Sequence, residues 1–293
     1  MRWRADLALA VAAMIWGATF VVVKDALQYV SPVLYLAIRF GLAALVMPLF
    51  LWGGLRPLPS KQILLGGIAT GTLLGIGMIF QTVGLKYTSA SNSGFLTSVY
   101  IVLIPFVSAI VNRDRPRSAE VVAVILATAG IALMSLDPGS LTMNFGDILT
   151  VICGIVFSFQ IVMVSHFASR GAFAWIAWLQ VIVTSAISWL AVVAGVDGEA
   201  FVHWTPRLWW AMGITVFGAT VAAFILQSWG QKHTTATRAA LIFALEPVFA
   251  GLTSFLYLGE TFTLRAWFGA FLILASILLA ELKPAARPQH TIN

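Results

Sequence analysis

The sequence predicts an all-α integral membrane protein: ten transmembrane helices in two inverted five-helix repeats. Three observations carry that prediction. Of 293 residues, 60% are hydrophobic and only 10% are charged, whereas soluble domains carry about 25% charged residues. Turn and charge signals cut the chain into ten apolar segments, most near the length of about 20 residues that crosses a hydrocarbon core of roughly 30 Å. A ten-residue string, QTVGLKYTSA at 81–90, returns as QSWGQKHTTA at 227–236 with five identities.

The segments lie near Ala5–Val23, Pro32–Trp52, Gln62–Gly84, Ser91–Val111, Ala119–Leu136, Gly146–Phe167, Phe173–Gly195, Leu208–Gln227, Ala236–Tyr257 and Thr263–Leu282. The first follows Met1-Arg2-Trp3-Arg4, is long for a signal-peptide core and has many spans after it, so it reads as the first helix. Short connections built from breakers, such as Arg113-Asp114-Arg115-Pro116 and Asp137-Pro138-Gly139, leave no room for a separate soluble domain.

Charge sets the expected orientation. With ten spans and a cytoplasmic N-terminus, twelve of the 17 basic residues fall on the inner side and four on the outer, with Arg39 inside a span. The excess of Lys and Arg on one side places both termini in the cytoplasm. The net charge of +6 is spread through loops and makes no basic face for nucleic acid. Cys153, the one cysteine, lies in an apolar run and has no intrachain partner for a disulfide.

The recurring string lies at an offset of 146, which pairs Gly67 with Gly213, Asn92 with Arg238, Tyr100 with Glu246 and Gly130 with Ser276. An offset of 141 pairs Trp16 with Phe157, Thr19 with Gln160 and Arg39 with Gln180. Each half, 1–140 and 141–283, then holds five helices, and 284–293 is a cytoplasmic tail. Five is odd, so the second half enters the membrane in the opposite sense. Inverted repeats of this kind mark secondary transporters, with the substrate held near midplane between the halves.

Several stretches also resemble a known family. Ile15-Trp16-Gly17-Ala18-Thr19-Phe20, and Pro32 followed by Arg39, are similar to its first two helices. Leu85-Lys86-Tyr87-Thr88-Ser89-Ala90 resembles its helix 3–4 region, and Leu245-Glu246-Pro247 through Leu258-Gly259-Glu260 its helix 9–10 region. Together they resemble the EamA-type members of the drug/metabolite transporter superfamily, over nearly the whole chain. The resemblance implies alternating-access transport of small metabolites through a central cavity lined mainly by helices 1, 3, 4, 6, 8 and 9. It leaves the solute open among amino acids, nucleotide derivatives, cationic drugs and others.

Glu246 is the leading candidate for chemistry. Ten residues into its segment, at 1.5 Å each, it lies about 15 Å deep, where an ionisable side chain is costly and faces protein or a water-filled cavity. Two readings stand: a site for a substrate cation or an exchangeable proton, and a structural carboxylic acid bonded between helices. Pro247 removes a helix hydrogen bond beside it and is a candidate hinge. The first half offers Pro105, four positions beyond the match of Pro247, so the two halves are expected to break their helices one turn apart.

Thr19, Gln81, Asn92, Gln160 and Gln227 are polar candidates at matched positions; interhelical hydrogen bonding is the alternative reading for each. Trp16, Tyr100, Phe157 and Trp229 are candidates to stack on a flat or cationic solute. Arg39 lies about 10 Å below the outer surface and reads as structural, its stem carrying the guanidinium to the interface; a contact to an anion or a pair with an acid is the alternative. Gly67, Gly71 and Gly75, spaced four apart, form a face for close helix packing.

No metal-ligand spacing, Gly-rich phosphate loop or nucleophile elbow is present, so neither a metal, another cofactor nor ATP-driven pumping is expected. The expected function is secondary transport of a small metabolite, an amino acid or a related amphipathic solute or drug, outward across a bacterial inner membrane. Its partners are the bilayer, the solute, coupling protons and a second copy in a homodimer. The alternatives are a passive channel or scaffold, and an intramembrane enzyme using Glu246.

Overall fold

The computed structural model describes residues 2–113, 117–135, 143–258 and 263–281. Among them the chain is helical, with no strand beyond one bridge between Val30 and Val202. The Asp137-Pro138-Gly139 turn, the boundary at 140/141, Asp114-Arg115-Pro116, Gly259-Glu260 and the tail lie outside the described residues.

Helices α1 (Arg2–Ala26), α2 (Pro32–Leu51), α3 (Lys61–Tyr87), α4 (Ala90–Thr97), α5 (Val99–Asn112) and α6 (Ser118–Ser135) make up the first half. The second runs through α7 (Phe145–Phe167), α8 (Phe173–Val193), α9 (Pro206–Gly213), α10 (Ala223–Lys232), α11 (Ala236–Phe243), α12 (Glu246–Leu258) and α13 (Leu264–Glu281). Between α9 and α10 the residues Ile214–Ala222 continue as a wide π-helical turn. Among the described residues, seven stretches are long and apolar enough to cross a membrane, and large apolar side chains cover the outer surface. The protein is a multi-pass membrane protein.

Local chemistry explains the boundaries. Ser89 opens α4 by accepting from the Asn92 N–H (3.0 Å), and Thr235, 146 residues on, opens α11 by accepting from the Arg238 N–H (3.2 Å). Both satisfy a donor that the first helical turn leaves orphaned. Asn144 and Asp147 form a reciprocal capping box at α7. Asp197, from the α8–α9 connection, accepts from the Val33 and Leu34 amides and caps α2 from a distance. At the other end of α1, the Lys24 ammonium donates to the carbonyls of Leu85 (2.6 Å) and Thr88 (2.8 Å) where α3 finishes.

The fourth and ninth sequence segments are each split in two. Their breaks fall at Ser98, between α4 and α5, and at Ala244, between α11 and α12, again 146 apart. This corrects the expectation of a first-half break at Pro105: α5 runs unbroken through that residue. At Ser98 the side chain takes part. Its hydroxyl donates back to the Gly94 carbonyl (2.9 Å), and its amide turns to Phe95 three residues back (3.0 Å), offering the backbone a competitor to the regular ladder. In the second half Pro247 supplies no N–H to the Phe243 carbonyl, which ends α11.

Packing follows a pattern. α2 packs on α8 and α6 on α13; α3 packs on α7 as α10 packs on α1; α5 packs on α7 as α12 packs on α1. Exchanging the two halves maps this set of contacts onto itself. Close approaches are made at glycines. Gly67, Gly71 and Gly75 face α8, where added Cβ atoms would meet Leu179, Val183 and Ile187. Gly17 of α1 lies against the Glu246 carbonyl, and Gly154 of α7 lies against the Thr97 carbonyl, where a Cβ would sit at 2.8 Å. Each of the two breaks is thus crossed by a glycine from the other half.

Candidate functional site

The two breaks bring residues 100 and 246 into contact. The Tyr100 hydroxyl donates to Glu246 Oε2 at 3.3 Å, and both side chains are buried. These are the residues that the 146 offset pairs.

They form part of the wall of a central cavity of about 70 Å³. Helices α1, α3, α4, α5, α7, α10, α11 and α12 surround it, and α2 adds Arg39. Of the ten substrate or coupling candidates, Trp16, Thr19, Gln81, Tyr100, Phe157, Gln160, Gln227 and Glu246 line it. Asn92 and Trp229 do not. Asn92 lies in the first turn of α4, where its backbone N–H donates to Ser89, and Trp229 packs on His233 with ring centroids 4.8 Å apart. Pro105, Pro247 and the three α3 glycines also lie outside the lining.

Several lining residues are held by bonds within or between helices. Trp16 Nε1 donates to the Ala219 carbonyl (2.9 Å), and its ring sits 5.4 Å from both Phe224 and Phe243. Thr19 returns its hydroxyl to the Trp16 carbonyl, the usual way for a threonine inside a helix to satisfy itself. Gln81 Nε2 donates to Thr97 Oγ1 at 3.1 Å, joining α3 to α4. Gln160 Nε2 donates to Gln180 Oε1 (2.9 Å), whose own Nε2 donates to Ser228 Oγ (3.3 Å). Gln227 is buried, and its Oε1 has no hydrogen-bond partner, a costly state for a buried acceptor.

Arg39 departs from its expected place. It does not reach the membrane interface: it is 5% exposed, its Nε donates to Thr220 Oγ1 (2.8 Å) and its Nη2 to the Ala219 carbonyl (3.3 Å). Both acceptors lie in the π-helical turn 214–222, the kind of irregularity that frees backbone groups near functional sites.

Sequence reasoning missed other lining residues, and the repeat holds the signal that finds several. Met78 with Phe224, and Thr97 with Phe243, are 146 apart; Phe20 with Ile161 is 141 apart; all six line the cavity. Val23, Leu74, Thr82 and Leu85 line it without their matches, and carry no signal beyond their apolar or small polar character.

The chain is similar to known proteins. The model of the EamA-like transporter family matches residues 3–136 and again 144–282. A protein of Archaeoglobus fulgidus named an uncharacterized transporter is 38% identical over 282 residues, covering 96% of this chain and 87% of its own. The Bacillus subtilis uncharacterized transporter YyaM is 26% identical over 276 residues, covering 90% of this chain and 89% of its own. A crystal structure 20% identical in sequence superposes with a TM-score of 0.78, covering 96% of this chain and 98% of that one.

Proposed function

The chain belongs to the EamA-like transporter family, and from that premise we propose that it is a secondary transporter working by alternating access. Its cargo is a small metabolite, an amino acid or a related amphipathic solute or drug, and its direction is export across the inner membrane, with both termini in the cytoplasm. Ten spans are the reading that fits the helices. The stretch Phe145–Val193, 49 residues long, spans twice because Gly171 (φ 96°) turns it back. The shorter apolar helices Ser118–Leu133 and Leu264–Leu279 supply two more. Halves 1–140 and 141–283 are then inverted repeats of five helices, followed by the tail 284–293.

The observation that carries the reading is the Tyr100–Glu246 contact. A residue and its own counterpart touch only where two copies meet on their common axis, and in transporters built from inverted repeats that axis runs through the substrate site at midplane. The mixed lining of amides, aromatics and one carboxyl suits a small polar or amphipathic solute.

Solute counterflow in proteoliposomes, run over a panel with and without a pH gradient, tests the function. Saturable counterflow is expected for at least one member of the panel, and its absence for all of them removes the reading. Unsaturable flux in its place marks a channel. Loss of the pH-gradient response in Glu246→Gln, with folding intact, assigns proton coupling to that carboxyl; an undiminished response leaves it structural.

A further inference from the structure

Three primary amides line the cavity, and two of them are occupied within the protein. Gln81 donates to Thr97 Oγ1 at 3.1 Å, and Gln160 donates to Gln180 Oε1 at 2.9 Å. The third, Gln227, is 2% exposed; its Oε1 is buried without a partner, and its Nε2 donates to no described residue. Among the described residues two other buried atoms share that state, Ser93 Oγ and Gln231 Oε1. Neither residue belongs to the cavity lining, and Gln231 spends its Nε2 on the Ile161 carbonyl and Ser165.

The duplication explains why Gln227 is left over. Gln81 and Gln227 lie 146 apart, and so do Thr97 and Phe243, the last residues of α4 and α11. In the first half the amide meets a hydroxyl. In the second half a phenyl ring stands in that place with no oxygen to offer. The ring packs instead on Trp16, which also packs on Phe224, each at 5.4 Å. Phe224 precedes Gln227 by three residues and so shares its face of α10. The result is an aromatic corner with an unbonded amide one helical turn away. Such an amide costs stability while it stands alone and gains a bond when a matching group arrives. That is a means of selection, because an analogue lacking the group leaves the amide unpaired and is rejected.

We propose that Gln227 is a specificity-determining residue of the cavity: its amide bonds the polar head of the solute, and it is available to do so because Phe243 stands where the first half has Thr97. This rests on the transporter reading and adds to it a residue that chooses the cargo. The amide offers one acceptor and two donors, so the head it selects carries a hydrogen-bonding group, and an apolar analogue of the same shape is refused.

Counterflow in proteoliposomes with leucine, serine, 4-aminobutyrate, nicotinamide and uracil first identifies the probe that the wild type carries best. Phe243→Thr and Phe243→Val are then compared with that probe, since they differ by one hydroxyl in the place that Thr97 fills in the other half. The hydroxyl captures the Gln227 amide, so Phe243→Thr is expected to show a KM about fivefold above that of Phe243→Val, with kcat within about twofold. In a Gln227→Leu background the two are expected to coincide. Equal KM values with Gln227 present overturn the proposal, as does a difference that persists without it. Should the Phe243 variants not fold, Gln227→Leu alone is expected to raise the KM about fivefold, and an unchanged KM overturns the proposal. Melts of the solute-free protein in detergent add a readout that needs no probe. Gln81→Leu removes the bond to Thr97 and is expected to lower the melting temperature by about 2 °C, whereas Gln227→Leu removes an unpartnered amide and is expected to lower it less or to raise it. A larger drop for Gln227→Leu than for Gln81→Leu makes the amide structural and overturns the proposal. Absence of counterflow for all five probes in the wild type removes the transporter reading and this inference with it; any of the other adverse results removes the inference alone.

Discussion

Ser98 and Tyr100 stand at the break in the first half; Ala244 and Glu246 stand 146 residues later, at the break in the second. The backbone does the same thing at both places by different means: a serine hydroxyl competes for a carbonyl in one, and a proline withholds an amide in the other. The side chains then diverge, phenol against carboxyl. At the outer edges the divergence continues. Asp6 of α1 grips Arg238 of α11, while their matches, Asp147 and Asn92, do not pair; Asp147 instead accepts from the Thr88 hydroxyl at 2.6 Å.

The cavity is skewed in the same way. Val23, Arg39, Thr82 and Leu85 line it, whereas their matches Val164, Gln180, Ser228 and Gln231 do not. Three of those four are tied into hydrogen bonds, Gln180 to Gln160 and Ser228, and Gln231 to the Ile161 carbonyl and Ser165. A duplicated scaffold therefore holds one site with two unlike walls. Gln180, Ser228 and Gln231, sewn into that polar network, stay out of the cavity, while Gln160 joins both.

The comparison is open to attack by mutation. The largest effect is expected where α1 crosses the second-half break. Gly17→Ala drives a methyl into the Glu246 carbonyl and within 2.9 Å of Phe249 Cβ, and is expected to cost about 3 kcal/mol by overpacking. Gly154→Ala, at the first-half break, meets the Thr97 carbonyl at 2.8 Å and is expected to cost about 1 kcal/mol. Thermal melts in detergent compare them, and equal losses would mean that the two crossings are alike after all. Next come the mates at the axis. Glu246→Gln is expected to lower counterflow about tenfold, equivalent to about 1.4 kcal/mol, and Tyr100→Phe about threefold; the reverse ranking would move the chemistry to the first half. The smallest effect belongs to the edges. A double-mutant cycle on Asp6 and Arg238 should return about 1 kcal/mol of coupling for this partly buried pair, against nothing measurable for Asp147 and Asn92. Similar values at both edges would restore the symmetry.

Much of this was legible in the sequence. Apolar runs bounded by breakers gave the apolar helices of a multi-pass membrane protein, because lipid tolerates little else. The two offsets gave eight of the residues that line the cavity, because duplicated helices keep the face they turn inward. The offset could not say which matched residues face inward. Trp229 fails because it follows Gln227 by two residues, about 200° around a helix, so the two side chains point apart. Asn92 fails because its place is a helix start, set by Ser89. The break at Ser98 escaped because serine inside an apolar helix is ordinary: Ser188 makes the same bond four residues back, to the Thr184 carbonyl, inside the unbroken α8. Arg39 was misplaced for lack of any sign that a π-helical turn on a distant segment would offer it acceptors.

Lys24 has a mechanical consequence. Its ammonium sits on carbonyls at the end of α3, so the last turns of α1 and α3 are riveted at one face of the membrane. A motion that parts the two helices at that end either breaks those bonds or carries α1 and α3 along together, and Gly17, pressed against the start of α12, is where the same α1 is held against the other half.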